Sequence, residues 1–298
     1  RICAKSDGSS ADPGEFALSA RGPPVSAATF AAAQLLKVLP RTRLSRAVGV
    51  LCERPLAPPM SRAIERLYAT LYRVDMGEAA QHDGAYPTFD AFFTRDLKPG
   101  ARRISADVIV SPSDGVVEST GPVDSGSRVF VKGQPYDVGE LVGDPKDASR
   151  FAGGSFAVVY LSPRDYHRVH SPVDGAITRV LGIPGALYPV NKIGERHVPR
   201  LFVRNNRVAI AIDTQGLGRV YVVMVGAVIV GRISVGVIPE PAVPPGDHSI
   251  VPPVASKKGD ELGIFHLGST AVLLVEPGIT LARSVGPIRY GESLLKPA

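Results

Sequence analysis

The sequence predicts an α+β protein, mainly β: amphipathic helices at the N-terminal end, then a duplicated antiparallel β core of sandwich or barrel-like form. Three observations predict it. The 298 residues include 31 Gly and 27 Pro without a collagen-like period, yet 44% are hydrophobic, so the chain is turn-rich but too apolar for disorder. From Ile109 onward, short apolar runs alternate with Pro/Gly/Asp turns at the spacing of strands. The turn Ser111-Pro112-Ser113-Asp114-Gly115 returns as Ser171-Pro172-Val173-Asp174-Gly175, each copy leading into a β-prone segment, as a duplicated unit would.

Residues 1–25 read as a disordered leader, broken by Gly8-Ser9-Ser10, Asp12-Pro13-Gly14 and Pro23-Pro24, with no signal-peptide layout. Residues 26–75 read as helical. The expected helices are Ala27 to Leu39, stopped by Pro40, then Leu44 to Cys52, then Pro59 to Tyr72 with Ile64, Leu67, Leu71 and Tyr72 along one stripe. Between Pro23 and Val74, Lys37, Arg41, Arg43, Arg46, Arg54, Arg62, Arg66 and Arg73 are opposed only by Glu53 and Glu65, so that stretch carries the whole formal net charge of +6. Such helices either cap a globular core or lie in a membrane interface with their arginines on anionic headgroups; the reading leans to the membrane. The cationic stretch has no interleaved aromatics or reading motif, so nucleic acid is not the expected partner.

Residues 76–298 form the expected β-rich catalytic domain. Its strands are read at Val108 to Val110, Val116-Val117, Phe156 to Leu161, Val208 to Ile212, Val220 to Val230 and Ala271 to Val275. The run Val220 to Val230 falls well short of the ~20 residues that cross a bilayer, and reads as a buried strand. Cys3 and Cys52 make no disulfide framework and no metal motif, so a reducing compartment is the default.

Nucleotide, P-loop, nucleophile-elbow and zinc-protease motifs are all missing. Three segments could carry chemistry. In Tyr160 to His170, the pair His167 and His170 could work as acid and base; nothing beside them completes a metal set. Asp114 is either a plain turn residue or a carboxylate that orients a histidine. Leu267-Gly268-Ser269-Thr270, before the strand-like Ala271 to Val275, is by itself an ordinary turn.

Together these segments resemble the phosphatidylserine decarboxylase family, whose members use a pyruvoyl group. The resemblance runs in order from Tyr72-Arg-Val-Asp-Met76 through Phe89 to Leu97, Ser111 to Gly115, Tyr160 to Gly175, Pro184 to Asn191, Leu201 to Asn205 and Val225 to Gly231, and ends at Leu267 to Thr270. The absence of Trp is unlike many members.

The resemblance implies a proenzyme that cuts itself between Gly268 and Ser269. Ser269 attacks the Gly268 carbonyl, with His170 as base oriented by Asp114, and residue 269 becomes a pyruvoyl group. That carbonyl condenses with the substrate amine and takes up electrons as carbon dioxide leaves. His167 then handles substrate and proton, and Asp174 is only a turn residue. The resemblance further implies phosphatidylserine and an anionic membrane surface as partners, β and α chains from one precursor, and a homodimer. The location implied is the cytoplasmic face of a bacterial inner membrane rather than the mitochondrial one. Two other classes fit parts of the pattern: a noncatalytic lipid- or carrier-binding β module, and a hydrolase using Ser269, His170 and Asp114.

Overall fold

The computed structural model describes residues 41–80, 84–190, 197–227 and 232–296. The expected leader and the Ala27 to Leu39 helix lie outside these residues. Helix α1 spans Arg41–Cys52 and α2 spans Pro58–Tyr72, close to the expected bounds. In α2, Pro sits in the first turn, where a missing N–H costs nothing. The helix ends at Arg73, whose φ of 57° is left-handed. Helix α3, Phe89–Phe93, starts where the Thr88 hydroxyl accepts the Ala91 N–H at 3.0 Å.

The stripe of α2 does not face the core as a packed cap would require. The helix docks through Ser61, which donates to the Tyr86 carbonyl (2.7 Å), through Glu65, which accepts the Tyr86 N–H (2.9 Å), and through Tyr68. The Tyr68 ring meets Phe89 and Phe92 of α3 edge-on, and its hydroxyl donates to the Pro163 carbonyl at 3.1 Å. Leu67 and Leu71, each 69% exposed, point away from the protein with Met60.

Behind the helices stands an eight-stranded antiparallel sheet in the order β10-β6-β7-β8-β12-β4-β1-β13. Its strands are β1 Gly115–Pro122, β4 Ser155–Leu161, β6 Gly175–Ile183, β7 Arg207–Asp213, β8 Arg219–Gly226, β10 Gly246–Ser256, β12 Ser269–Val275 and β13 Gly286–Ile288. Both faces are covered, so the central strands are apolar throughout rather than alternating. Val222, Met224, Ala271 and Leu273 face a three-stranded sheet, β5-β11-β9, made of Arg168–His170, Glu261–His266 and Arg232–Val235. Tyr221, Val223, Val272 and Leu274 face the other way. There they meet α4 (Val138–Val142), the 3-10 turn Ala148–Phe151, α5 (Leu201–Arg204) and the hairpin β2-β3 (Arg128–Val131, Gln134–Asp137). The core is therefore layered, and among the described residues no barrel closes, since β10 and β13 remain edges. The strand expected over Val108 to Val110 reduces to one bridge between Val110 and Ser293.

The two S-P-x-D-G copies adopt one geometry. Each serine hydroxyl donates to the carbonyl two residues on (Ser111 to Ser113 and Ser171 to Val173, both 2.8 Å). Each aspartate accepts a backbone N–H from a distant segment: Tyr290 to Asp114 at 2.9 Å and Lys258 to Asp174 at 2.8 Å. Each glycine opens a strand of the large sheet, β1 and β6, against a neighbouring backbone. At Gly115 φ is +147°, and a Cβ would lie 2.2 Å from the Tyr160 carbonyl oxygen. Gly115→Ala should therefore cost at least ~2 kcal/mol in urea unfolding, whereas Gly133→Ala, at φ +78° in open space, should cost only about 1 kcal/mol.

Candidate active site

Strand β4 ends at Leu161, and the chain turns on Asp165, whose carboxylate accepts the N–H and hydroxyl of Ser162, both at 2.7 Å. It then enters β5. The β5–β11 ladder pairs His170 with Glu261 and Arg168 with Ile264, and the Phe265 N–H donates to the His167 carbonyl at 3.0 Å. From that end of the ladder the chain leaves the three-stranded sheet. Within three residues of His266 it is in the centre of the large sheet, where Ser269 pairs with Leu161 on one side and Gly226 on the other. Leu267 absorbs the change of direction at φ +90°, a conformation that costs a non-glycine residue about 1–3 kcal/mol.

Ser269 and Thr270 thus open a strand rather than form a turn. Ser269 is 1% exposed, and the hydroxyls of both residues are buried without a hydrogen-bond partner among the described residues. Gly268 has room about it, since a Cβ there would meet nothing within 4 Å.

His167 is fully buried against the Phe93 ring, the centroids 4.1 Å apart. Its Nδ1 lies 2.7 Å from the Asp165 carbonyl, and His170 Nδ1 lies 2.8 Å from the Gly259 carbonyl. A carbonyl only accepts, so in each ring Nδ1 carries the hydrogen and Nε2 the lone pair. Neither Nε2 has a partner among the described residues. Burial disfavours the cation in both, lowering His170 and bringing His167 from its usual 6.5 down to about 3. Both rings are accordingly neutral bases at pH 7.

Asp114 is placed beside this pair by contacts that the sequence does not announce. Its carboxylate takes Arg102 Nη2 at 2.5 Å and Nε at 3.1 Å, while Arg102 also holds Glu78 at 2.8 Å. Asp114 makes no direct hydrogen bond to His170; the link runs through Tyr290. The Tyr290 N–H donates to Asp114, and its ring lies flat on the His170 ring, 3.8 Å between centroids and 5° from parallel. The carbonyl of Gly259, rather than a carboxylate, orients His170. A second missed cluster precedes the Leu267 bend: His266 Nδ1 meets the Asp90 carboxylate at 2.9 Å, and its Nε2 meets the Ser234 hydroxyl at 3.1 Å, tying α3 to β11 and β9. Among the described residues no three His, Cys, Asp or Glu side chains are grouped to hold a metal.

A buried hydroxyl without a partner among the described residues, just beyond a strained residue, and two neutral imidazoles at the two ends of β5, the strand paired with β11, are groups that serine nucleophile chemistry inside the chain would need. Residues 89–296 match the family model described as phosphatidylserine decarboxylase. The chain is 42% identical over 271 residues to the phosphatidylserine decarboxylase proenzyme of Anaeromyxobacter sp. (strain K), covering 87% of this chain and 95% of that one. It is 43% identical to the proenzyme of Myxococcus xanthus (82% and 89% covered) and 43% identical to that of Acinetobacter baylyi (80% and 84% covered). The chain belongs to the phosphatidylserine decarboxylase family.

The depressed His167 pKa makes the fold acid-sensitive. The unfolded chain binds the proton at the usual 6.5 and the native state only near 3. Stability is therefore full above 6.5 and declines as pH falls through this window. In His167→Gln that part of the decline should be missing from urea-unfolding curves measured at successive pH values.

Proposed function

We propose that this chain is a self-processing decarboxylase that converts phosphatidylserine to phosphatidylethanolamine and carbon dioxide at a membrane surface. The observation that carries the reading is Ser269, whose buried hydroxyl has no partner among the described residues and directly follows the Gly268 carbonyl it would attack.

In the proposed processing, the Ser269 hydroxyl gives its proton to His170 Nε2 and its oxygen attacks the Gly268 carbonyl. The C–N bond breaks, the nitrogen takes the proton back, and an ester replaces the amide. Loss of the Ser269 α-proton then expels the Gly268 carboxylate. Water replaces the nitrogen, which leaves as ammonia, so a pyruvoyl group begins the segment 269–298 and the other product is 1–268. The residues fit such a group: among the described residues Ser269 has an unpaired buried hydroxyl free to form the ester from which it arises, and Gly268 has open space about it. Once formed, it supplies an electron-withdrawing carbonyl for the pair released as carbon dioxide leaves.

Asp114, held by Arg102, supplies negative charge near His170 that favours its protonated form during the transfer. His167, its Nδ1 fixed by Asp165, is assigned to proton movement at the substrate carbon through Nε2. The ladder places His167 at the end from which the chain runs to Ser269, so single substitutions are needed to divide the roles. The burial of Ser269 at the head of a central strand argues against a hydrolase acting on external substrates.

The outward stripe of α2 supports membrane attachment. A helix that docks by serine, glutamate and tyrosine while presenting Leu67 and Leu71 has its apolar face turned to something other than its own core. Among the described residues no helix is long and apolar enough to cross a membrane. The rest of the proposal is peripheral attachment to the cytoplasmic face of a bacterial inner membrane, as a homodimer.

On a denaturing gel the native protein should run as two pieces and Ser269→Ala as one. Asp114→Asn and His170→Ala should stall cutting, whereas His167→Ala should cut at least partly and show no turnover; equal failure to cut would refute that division. Replacing Leu67 and Leu71 together by Glu should release the protein from phosphatidylserine vesicles in a flotation assay, and undiminished binding would return α2 to a packing role.

A further inference from the structure

A cavity of about 330 Å³ opens between the C-terminal end of α2 and the head of β1, with Arg73, Arg95, Arg102, Asp114 and Tyr166 in its wall. Most of its charges are already matched. Arg102 is spent on Asp114 and Glu78, Arg289 on Glu78 at 3.0 Å, and Arg164 lies 3.7 Å from Asp165. On the acidic side, Glu292 takes Arg283 at 3.2 Å and Asp75 accepts the Gly77 N–H at 2.9 Å.

Arg73 is exposed to solvent, which leaves Arg95 as the buried exception. Arg95 is 5% exposed, its guanidinium makes no hydrogen bond or ion pair among the described residues, and its Nε is buried without a partner. The Phe92 ring lies under it, 5.7 Å from the centroid, and Tyr68, Tyr86 and Tyr166 are near enough to act on its charge. A guanidinium cannot shed its proton to escape this cost, a buried charge without a paired counter-ion is normally disfavoured by several kcal/mol, and Asp114, which acts on Arg95 through space, is already paired with Arg102. The position makes sense if the missing anion arrives with a ligand. Arg95 is also close enough to His167 to disfavour its cation, which sets the cavity beside the site already described.

The phosphatidylserine headgroup offers two anions, a phosphodiester and a carboxylate. The carboxylate loses its charge as carbon dioxide forms, so a cation clamped on it would favour the ground state over the transition state and slow the reaction. The phosphodiester keeps its charge throughout, and holding it costs the reaction nothing. The exposed Arg73 lines the cavity and caps the helix that carries Leu67 and Leu71 on its outer face, so the cavity lies at the end of the helix proposed to face the lipid.

We propose that Arg95 is the binding residue for the phosphodiester of the substrate headgroup, its guanidinium fork taking two phosphate oxygens. The proposal rests on the reading of phosphatidylserine as substrate. The test compares native protein with Arg95→Met and Arg95→Lys in detergent micelles, with cutting at Ser269 as the control for a native fold. In Arg95→Met the KM for phosphatidylserine should rise about tenfold or more with kcat within about twofold, and Arg95→Lys should fall between. Calorimetric titration with glycerophosphoserine should show the same loss of affinity.

Unchanged KM and unchanged glycerophosphoserine affinity would overturn the proposal and leave Arg95 as a support for the Phe92 cluster. So would a fall in kcat at constant KM. If Arg95→Met fails to cut or fold, Arg95→Lys decides, because it keeps the charge and loses the fork. A native protein that binds glycerophosphoserine through Arg95 but never decarboxylates would fail the substrate reading and spare this one.

Discussion

Between His266 and Ser269 the backbone leaves one sheet and enters another, and most of the site follows from that crossing. Strand β11 belongs to the three-stranded sheet and β12 to the centre of the eight-stranded one, so the direction must change within a few residues. The large sheet is buried on both faces, which fixes the register of β12 against β4 and β8 and leaves little freedom to relax. The change falls on Leu267, at φ +90°, and delivers the next peptide bond to a buried interior. Strain there is held by the pairing of seven consecutive residues of β12 on both sides.

Desolvation does the electrostatic tuning. The two histidines are made into neutral bases by being enclosed, while each Nδ1 is pinned by a backbone carbonyl so that the lone pair sits on Nε2. Asp114 stays in a crowded interior because Arg102 neutralises it, and it acts on His170 through space and through Tyr290, which bonds one and stacks on the other. Arg95 stands on the same wall without such a partner, and that asymmetry separates a structural ion pair from a charge kept for a ligand.

The helical segment joins lipid to chemistry in the proposed function. Helix α2 is anchored to α3 through Tyr68, and α3 is tied to β11 through Asp90 and His266, three residues before Ser269. The side of α2 proposed to face lipid and the proposed processing site therefore share one short chain of contacts.

Much was legible in the sequence because local chemistry repeats along it. The S-P-x-D-G turns, the strand runs, the helix at Pro58–Tyr72 and the residues Asp114, His167, His170 and Ser269 are all visible in residue type and order. What remained hidden depends on partners far apart in sequence: Arg102 and Tyr290 around Asp114, Gly259 behind His170, Asp90 behind His266, the lone charge of Arg95. The expected direct pairing of Asp114 with His170 and the possible barrel closure gave way for the same reason, since strand order and side-chain neighbours are set by long-range pairing. By itself the sequence determined which groups could react and which segments could be strands. Only the tertiary structure decided which way the α2 stripe faces, which nitrogen of each histidine is bare, and that the reactive serine opens a central strand, because burial and hydrogen-bond partners are properties of the packed chain and not of any segment of it.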